Sequence, residues 1–245
     1  MTDQQTILGE QKEYYRARAP EYDDWWFRRG RYDGGPDHTA AWNTEVAIVE
    51  AALGKLLPVE NALELACGTG LWTRHLAAGA ARLTAVDAVP EVIAINCQQV
   101  PAGNVEYIQA DLFQWRPAER YDLVFFGFWL SHIPAAVLDD FWTLVAGCLN
   151  PGGRVFFVDN MPAPGGTKLS KPNLSQPNWG GERRLDDGQE IVERTLADGR
   201  NFRIVKNYFE PDALMAQLAM RGWRGRVHSS GDFFIFGALQ RAAEG

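Results

Sequence analysis

A short glycine-rich stretch is the part of this sequence best suited to holding a ligand. At residues 63–70, Leu-Glu-Leu-Ala-Cys-Gly-Thr-Gly, an apolar strand pattern leads into Gly68 and Gly70, and a helical pattern follows from Trp72. Glycines in such a turn let the backbone approach a ligand closely, and the amides at the start of the next helix have no partner within the helix. These features predict a ligand-binding turn between a strand and a helix.

Two aspartates stand where the next two predicted strands end. Asp87 ends the strand that follows the glycine turn, and Asp111 comes directly after the third strand. A carboxylate in the first position can accept hydrogen bonds from both hydroxyls of a ribose, and open α/β sheets bind ligands at these strand ends. Taken singly, each feature has a simpler explanation, since glycines turn chains and aspartates cap helices. Together they predict a nucleoside site.

Two further residues indicate which nucleoside binds. A dinucleotide fingerprint needs a third glycine three residues after the second, where the helix packs near a pyrophosphate, and this sequence has Thr73 there. Glu64 in the first strand would repel a pyrophosphate but suits a cationic amino-acid group. Both residues favour S-adenosylmethionine (SAM) over a nicotinamide dinucleotide.

Short apolar runs alternate with helical patterns along the middle of the chain, which is typical of a parallel sheet flanked by helices. The predicted strands are 61–66, 82–87, 105–109, 121–126 and 153–159, and the predicted helices are 42–57, 72–78, 91–99, 137–149 and 211–221. The sequence Asn-Pro-Gly-Gly at 150–153 is expected to break the fourth of these helices before the fifth strand. Two hairpins are predicted, one from 190–196 and 201–209, the other from 224–229 and 232–239.

This pattern resembles the class I SAM-dependent methyltransferases. The resemblance is carried by residues 63–70, by Ala-Val-Asp at 85–87 and by Ala-Asp-Leu at 110–112, and it is extended by Tyr-Asp-Leu-Val at 121–124 and Leu-Asn-Pro-Gly-Gly at 149–153. It covers roughly residues 40–240 with the family's motif order intact. It implies an α/β, Rossmann-like, seven-stranded and mostly parallel sheet in the order 3-2-1-4-5-7-6 with helices on both faces. The last hairpin supplies the antiparallel edge.

The resemblance also implies SAM as cofactor and S-adenosylhomocysteine (SAH) as product. In this family the glycine turn wraps the methionine part, the acid after the second strand holds the ribose, and the acid after the third lies near the adenine amine. The predicted cofactor-binding residues are Tyr14, Tyr22, Glu64, Ala66, Cys67, Gly68, Gly70, Asp87, Ala88, Asp111, Leu112, Gly127 and Phe128. One of them, Ala66, stands where many members have glycine.

The methyltransferase domain is predicted at 41–245, and residues 1–40 form a separate segment before it. Within this segment, residues 1–35 are polar, aromatic and rich in arginine, and their apolar positions are too irregular for one long helix, so one or two short helices are expected. By analogy with related small-molecule enzymes, this segment is predicted to be a lid. An insertion at about 160–209, which includes the first hairpin, is predicted to be a substrate cover.

A small-molecule acceptor is expected, with oxygen favoured over nitrogen or carbon as the methylated atom. An alcohol or phenol needs a proton acceptor, and His132 follows the fourth strand at the mouth of the site, which makes it the candidate general base. The alternative is that His132 only hydrogen-bonds backbone or caps the helix near Pro134. Both explanations stay open at this point.

Aromatic side chains near the site favour a planar or apolar acceptor. The candidate substrate contacts are Trp25, Trp26, Trp129 and Trp179, although core packing explains each of them as well. Arginines 16, 18, 28, 29 and 31 would suit an anionic substrate group, but scattered arginines are more typical of a solvated surface. They are therefore left unassigned.

Composition and charge exclude several classes of function. The 245-residue chain carries a net charge of −7, whereas nucleic-acid-binding proteins display a clustered excess of Lys and Arg, so no nucleic-acid partner is expected. The sequence lacks a signal-peptide pattern and a membrane-span pattern, and its three cysteines are scattered. A cytoplasmic monomer or homodimer without a membrane partner is expected. No metal-ligand spacing is present, so no metal site is predicted.

Two alternatives to a methyltransferase remain. A nicotinamide-dependent oxidoreductase would bind NAD(P), against which Thr73 argues. A protein of the same fold that holds SAM or SAH without transferring methyl is not excluded by fold analogy.

Overall fold

A computed structural model describes residues 3–161, 182–184 and 191–242. The strands are β1 Val59–Leu65, β2 Ala80–Asp87, β3 Val105–Gln109, β4 Tyr121–Gly127, β5 Leu149–Asn160, β6 Glu182–Arg184, β7 Ile191–Thr195, β8 Asn201–Val205, β9 Trp223–Ser229 and β10 Phe234–Arg241. The α-helices are α1 Asp3–Arg18, α2 Tyr22–Trp26, α3 Pro36–Gly54, α4 Thr73–Gly79, α5 Pro90–Gln99, α6 Leu138–Gly147 and α7 Pro211–Met220. Short 3-10 turns lie at Ala19–Glu21, Gly30–Tyr32, Leu130–His132 and Ala135–Val137.

Seven strands form the main sheet in the order β3-β2-β1-β4-β5-β10-β9. β1 to β5 run parallel, whereas β10 pairs antiparallel with both β5 and β9. Counted within this sheet alone, the order is 3-2-1-4-5-7-6, as predicted from the resemblance. The order changes direction at β1 and β4, and in open α/β sheets this is the point where ligands bind.

The central strands are apolar on both faces because helices cover both sides of the sheet. Neighbouring residues along a strand point to opposite faces, so β4 and β5 contribute one aromatic stack to each side. Phe125 stacks on Phe156 with ring centroids 6.1 Å apart, and Phe126 stacks on Phe157 at 5.7 Å. All four rings are buried. The sheet is therefore a rigid base for the loops at its carboxyl edge.

The first helix differs from the prediction. The sequence predicts one or two short helices here, but α1 is a continuous helix of 16 residues. Its buried residues are Ile7, Gln11, Tyr14 and Arg18, which have helical spacing. Two of the four are polar, so a search for apolar periodicity does not find this face. The helix is stabilised by tertiary packing, as most helices in proteins are.

The prediction that residues 150–153 end the helix before the fifth strand is also wrong. α6 already ends at Gly147, and β5 runs from Leu149 through the Pro-Gly-Gly sequence. Leu149 pairs with Tyr121, and the register shifts between Tyr121 and Leu123. The glycines are thus accommodated as a bulge within the strand, with Gly152 at a φ of 78°.

A second, smaller sheet contains the predicted hairpin. β7 and β8 pair antiparallel around a turn in which Gly199 has a φ of 87°, and β6 adds a third strand on the other side of β7. The sequence did not predict β6. Most of the preceding part of the insertion, residues 162–181, lies outside the described residues, and so does Trp179.

Helix α1 packs on this second sheet. Tyr14 forms an apolar cluster with Val192, Leu196 and Ile204. Gln11 accepts a hydrogen bond from the amide of Val205 at 3.0 Å and donates one to the carbonyl of His132 at 3.2 Å. The N-terminal segment and the insertion therefore form one layer over the carboxyl edge of the main sheet. No helix in the described ranges is long and apolar enough to cross a membrane.

The packing of β10 on β5 leaves no room for a side chain at Gly237. A Cβ there would lie 2.5 Å from Cε1 of the buried Phe157 ring. We expect Gly237→Ala to lower the free energy of unfolding by about 1–3 kcal/mol, because the ring must shift in a packed core. Urea denaturation measures this loss. The control Gly103→Ala meets no atom within 4 Å, and equal midpoints for the two variants would contradict the packing described here.

Candidate functional site

A cavity opens at the carboxyl ends of β1, β2, β3 and β4, beneath α1. The turn after β1 forms its floor, and this turn contains three residues in the left-handed region: Ala66 with a φ of 55°, Gly68 at 53° and Gly70 at 100°. This conformation is natural for glycine and strained for alanine. A glycine at position 66 would relieve this strain.

The two glycines of the turn have different roles. A Cβ at Gly70 would lie 2.6 Å from the side-chain oxygen of Asn96, so this glycine is required by packing. A Cβ at Gly68 would meet nothing within 4 Å, and Gly68 lines the cavity. Its backbone is therefore open to a ligand.

Asn96 on α5 holds the turn from behind, and the sequence analysis missed it. Its fully buried amide donates hydrogen bonds to Thr73 Oγ1 at 2.8 Å and to the carbonyl of Gly68 at 3.2 Å. Its oxygen accepts one from the Tyr107 hydroxyl at 2.9 Å. A single polar residue in an amphipathic helix gives no sequence signal for this role.

Asp87 connects the turn to the end of β2. Its Oδ2 accepts a hydrogen bond from the Gly68 amide at 3.0 Å, and its Oδ1 accepts one from the Val89 amide at 2.9 Å. Burial raises the pKa of Asp87, and these amides oppose the rise. An ionised carboxylate has about four acceptor positions. The two that remain suit the hydroxyls of a ribose.

Asp111 lies at the mouth of the cavity. Its Oδ1 accepts a hydrogen bond from the Phe113 amide at 3.1 Å, and its Oδ2 lies 2.7 Å from Nζ of Lys12 on α1. The adjoining wall is apolar, with Leu112 next to the rings of Phe113 and Trp129, whose centroids are 5.8 Å apart. Such a wall is suited to a planar base.

The structure brings most of the predicted cofactor residues together. Those that line this first cavity are Tyr22, Ala66, Gly68, Asp87, Ala88, Asp111, Leu112, Gly127 and Phe128. Four others, Tyr14, Glu64, Cys67 and Gly70, do not line it. Among the residues that the sequence analysis did not select, Lys12, Tyr15 and Thr69 belong to the lining.

Glu64 is buried at 2% exposure, and its Oε2 has no hydrogen-bond partner among the described residues. Burial raises the pKa of Glu64 to about 8, and a hydrogen bond with Thr73 opposes the rise. A carboxyl with this pKa holds its proton at neutral pH for most of the time.

A second cavity adjoins the first, with Tyr15, Tyr22 and Phe128 lining both. The residues that line the second alone are Tyr14, Arg18, Trp25, Tyr32, His132, Asn160 and Arg194. Tyr14, a predicted cofactor residue, thus lies with Trp25 and His132 of the predicted substrate site. The other tryptophans lie elsewhere: Trp129 is in the first cavity, and Trp26 packs against Trp42, Trp72 and Phe234.

His132 is buried and held in one orientation. Its Nδ1 lies 2.6 Å from the carbonyl of Val205. A carbonyl only accepts, so Nδ1 carries the hydrogen, and in the neutral ring Nε2 keeps its lone pair. Burial, followed by the positive charges of Lys206 and Arg194, holds the pKa of His132 well below its usual range. The ring is neutral at physiological pH.

The N-terminal segment is fastened over the first cavity by polar contacts. Asp23 accepts hydrogen bonds from Thr69 Oγ1 at 2.6 Å and from Gln99 Nε2 at 2.7 Å. An ion pair joins Arg16 to Glu91 at 3.1 Å, in addition to the pair between Lys12 and Asp111. The segment therefore covers the glycine turn and the adjacent strand ends.

The dimensions and chemistry of the first cavity fit a nucleoside. The space between its side chains, with its open mouth, is about 760 Å³, within the usual range for small-molecule sites. It combines an accessible backbone turn, a carboxylate with free acceptor positions and an apolar wall. The fold and this site define a Rossmann-like nucleoside-binding protein.

Comparisons with known proteins identify the family within this class of nucleoside-binding proteins. The model of a methyltransferase-domain family matches residues 62–153. A solved complex of DhpI with SAH is 34% identical, covers 97% of this chain and 98% of DhpI, and has a TM-score of 0.73. A DhpI–SAM–HEP complex is 35% identical, covers 96% of this chain and 97% of DhpI, with the same TM-score. The chain belongs to the class I SAM-dependent methyltransferases, and SAM is its cofactor.

Curated relatives match over shorter stretches. Nodulation protein S of Sinorhizobium fredii is 33% identical over 103 residues, which is 41% of this chain and 47% of the relative. Trans-aconitate 2-methyltransferase of Klebsiella pneumoniae is 38% identical over 71 residues, which is 28% of this chain and 27% of the relative. The chain therefore spans less than half the length of these two relatives.

The position of Asp87 leads to a binding prediction. In Asp87→Asn, one amide hydrogen of the new side chain must face the amide of Gly68 or Val89, and one acceptor for the ribose is lost. We expect SAH to bind at least tenfold more weakly, a loss on the order of 1.4 kcal/mol. Isothermal titration calorimetry measures this change. Asp139→Asn is the control, because Asp139 is exposed on α6 and paired with Arg221; unchanged affinity in Asp87→Asn would refute the assignment.

Proposed function

We propose that the protein transfers the methyl group of SAM to an oxygen atom of a small molecule held in the second cavity. The observation that carries the proposal is the shared wall of the two cavities, with neutral His132 lining the second. Two ligands placed on either side of Tyr22 and Phe128 come within reach of each other. The similarity to DhpI supports this arrangement, because that protein has been solved with SAM and HEP together.

When bound, SAM supplies a methyl group already activated by its positively charged sulfur. The protein's contribution is to hold the two reactants in line, and proximity of this kind accounts for several kcal/mol of a barrier. The rigid turn around Gly68 and the carboxylate of Asp87 hold one reactant, and the second cavity holds the other. Tyr22 contacts both sites, and burial raises its pKa to about 12, so it stays uncharged.

His132 is proposed to take the proton from the acceptor hydroxyl. The hydrogen bond to Val205 leaves Nε2 as the basic atom, and the lowered pKa keeps it unprotonated. A nitrogen acceptor that attacks through its own lone pair does not need such a base, and oxygen is therefore favoured. Residues 1–40 are proposed to act as a lid, since α1 and α2 cover the first cavity.

The test of the proposal is methyl transfer from radiolabelled SAM to a panel of small hydroxyl, amine and carbon acids. Label in a hydroxyl compound supports the proposal. Label in an amine or a carbon acid alone contradicts oxygen as the acceptor atom. SAM binding without label in any compound favours a protein that holds SAM without transferring methyl.

Removing the imidazole should slow the chemical step and leave cofactor binding intact. We expect His132→Ala to lower kcat about 10²- to 10⁴-fold, the usual contribution of a general base, with little change in SAH affinity. The control His228→Ala removes an exposed ring on β9. Equal kcat values for the two variants at saturating SAM would exclude His132 as the base.

The proposed role of His132 as the base also predicts how kcat depends on pH. A base must be unprotonated, and the pKa of His132 is lowered, so the wild-type kcat should stay constant down to pH 6.5 and fall only below it. The charged groups that face the ring are Lys206, Arg194 and Arg18. A fall in kcat that begins above pH 7 would contradict this environment.

A further inference from the structure

Two arginines from different parts of the chain line the second cavity. Arg18 ends α1, and Arg194 lies on β7 in the second sheet. Arg194 lowers the pKa of the Arg18 guanidinium through charge repulsion, although the tyrosines around Arg18 more than offset this effect and that of burial. Both guanidinium groups lie near the ring of Tyr14, Arg18 at 5.6 Å and Arg194 at 5.9 Å from its centroid, so two positive charges border the same part of the cavity.

Arg18 is buried, and no residue in the described part of the chain acts as its counter-ion. Its exposure is 5%, it forms no ion pair with any residue that the structure describes, and its Nε has no hydrogen-bond partner among them. Its guanidinium lies over the ring of Tyr22 at 4.8 Å and over that of Tyr14 at 5.6 Å. Ring faces stabilise a cation only in part, whereas burying an unpaired charge is costly. Arg18 therefore remains available to an anionic ligand.

The neighbouring lysine differs in this respect. Lys206 is also buried, but its Nζ lies 2.8 Å from Ser131 Oγ, 3.2 Å from Asn160 Oδ1 and 3.4 Å from Asp159 Oδ1. Its charge is compensated within the protein. No Asp or Glu occurs among the described residues that line the second cavity. None of the described lining residues therefore neutralises the charge of Arg18.

The pKa values of two neighbouring groups agree with positive charge in this cavity. Burial alone would raise the pKa of Tyr14, but the charges of Arg18, Arg194 and Arg31 outweigh burial, and the pKa is lowered. The low pKa of His132 has a related cause, since Lys206, Arg194 and Arg18 all contribute to it after burial. Both groups respond to a positive potential in the cavity.

We infer that the second cavity binds the acceptor through an oxyanion, a carboxylate or phosphate-type group, placed between Arg18 and Arg194. This inference rests on the proposed function and adds the chemical class of the substrate. The planar fork of arginine matches such groups with two parallel hydrogen bonds. The space, with its mouth, is about 430 Å³ and suits a small molecule. The planar or apolar acceptor predicted from Trp25 and the other tryptophans would then also carry an acidic group.

Calorimetry on the intact chain, first saturated with SAH, tests this inference. Inorganic phosphate and acetate are the probes, and glycerol is the uncharged control. We expect one or both anions to bind and glycerol not to bind; phosphate alone indicates a phosphate-type substrate and acetate alone a carboxylate. In Arg18→Met, anion affinity should fall at least tenfold while SAH affinity changes by less than about threefold.

The calorimetric experiment includes a control variant and a second test variant. Arg224→Met removes an exposed arginine on β9 and should leave anion binding unchanged. Arg194→Met provides a second variant if Arg18→Met does not fold, and it too should weaken anion binding at least tenfold. Absence of anion binding to the wild type, or equal binding by the wild type and the variants, overturns the inference. If SAH also fails to bind the wild type, the proposed function itself fails, and this outcome is distinguished by the same titration.

Discussion

The amides of Gly68 and Val89 converge on one buried carboxylate, that of Asp87, and the first cavity depends on this arrangement. One amide belongs to the turn after β1 and the other to the segment after β2, so the interaction fixes two strand ends relative to each other. Burial acts against the charged form of the carboxyl group, and the two amides act for it. The same charge that orders the turn is then available to ligand hydroxyls, so structure and binding use one group.

Helix α1 is attached more strongly to the second sheet than to the main sheet. Towards the second sheet, α1 buries Tyr14 against Val192 and Ile204 and exchanges hydrogen bonds through Gln11. Towards the main sheet, its side-chain ion pairs involve partly exposed side chains, and solvent screens such pairs so that they contribute little. The stronger attachment therefore joins the two added segments to each other. Although they are far apart in sequence, they behave as one structural layer.

The sequence predicts the sheet and the floor of the site because both depend on local signals. Apolar runs define the buried strands, and Gly68, Asp87 and Asp111 follow directly from the strand ends. It does not predict α1, since the buried face of this helix includes Gln11 and Arg18, which a hydrophobic pattern counts as exposed. Arg18 and Arg28, which the sequence left unassigned because scattered arginines are more typical of a solvated surface, are both buried. Whether a polar residue is buried depends on segments that meet only in the folded chain, and this also hides the role of Asn96.

One helix carries a residue of each cavity: Lys12 borders the first cavity and Arg18 the second. Anything that Arg18 retains also holds α1 in place over the nucleoside. Under the proposed function, the dwell time of the cofactor would then depend on whether the other ligand is present, and departure of the methylated product would loosen the covering helix. Exchange of spent for fresh cofactor would thus follow product release, which gives turnover a fixed sequence of events.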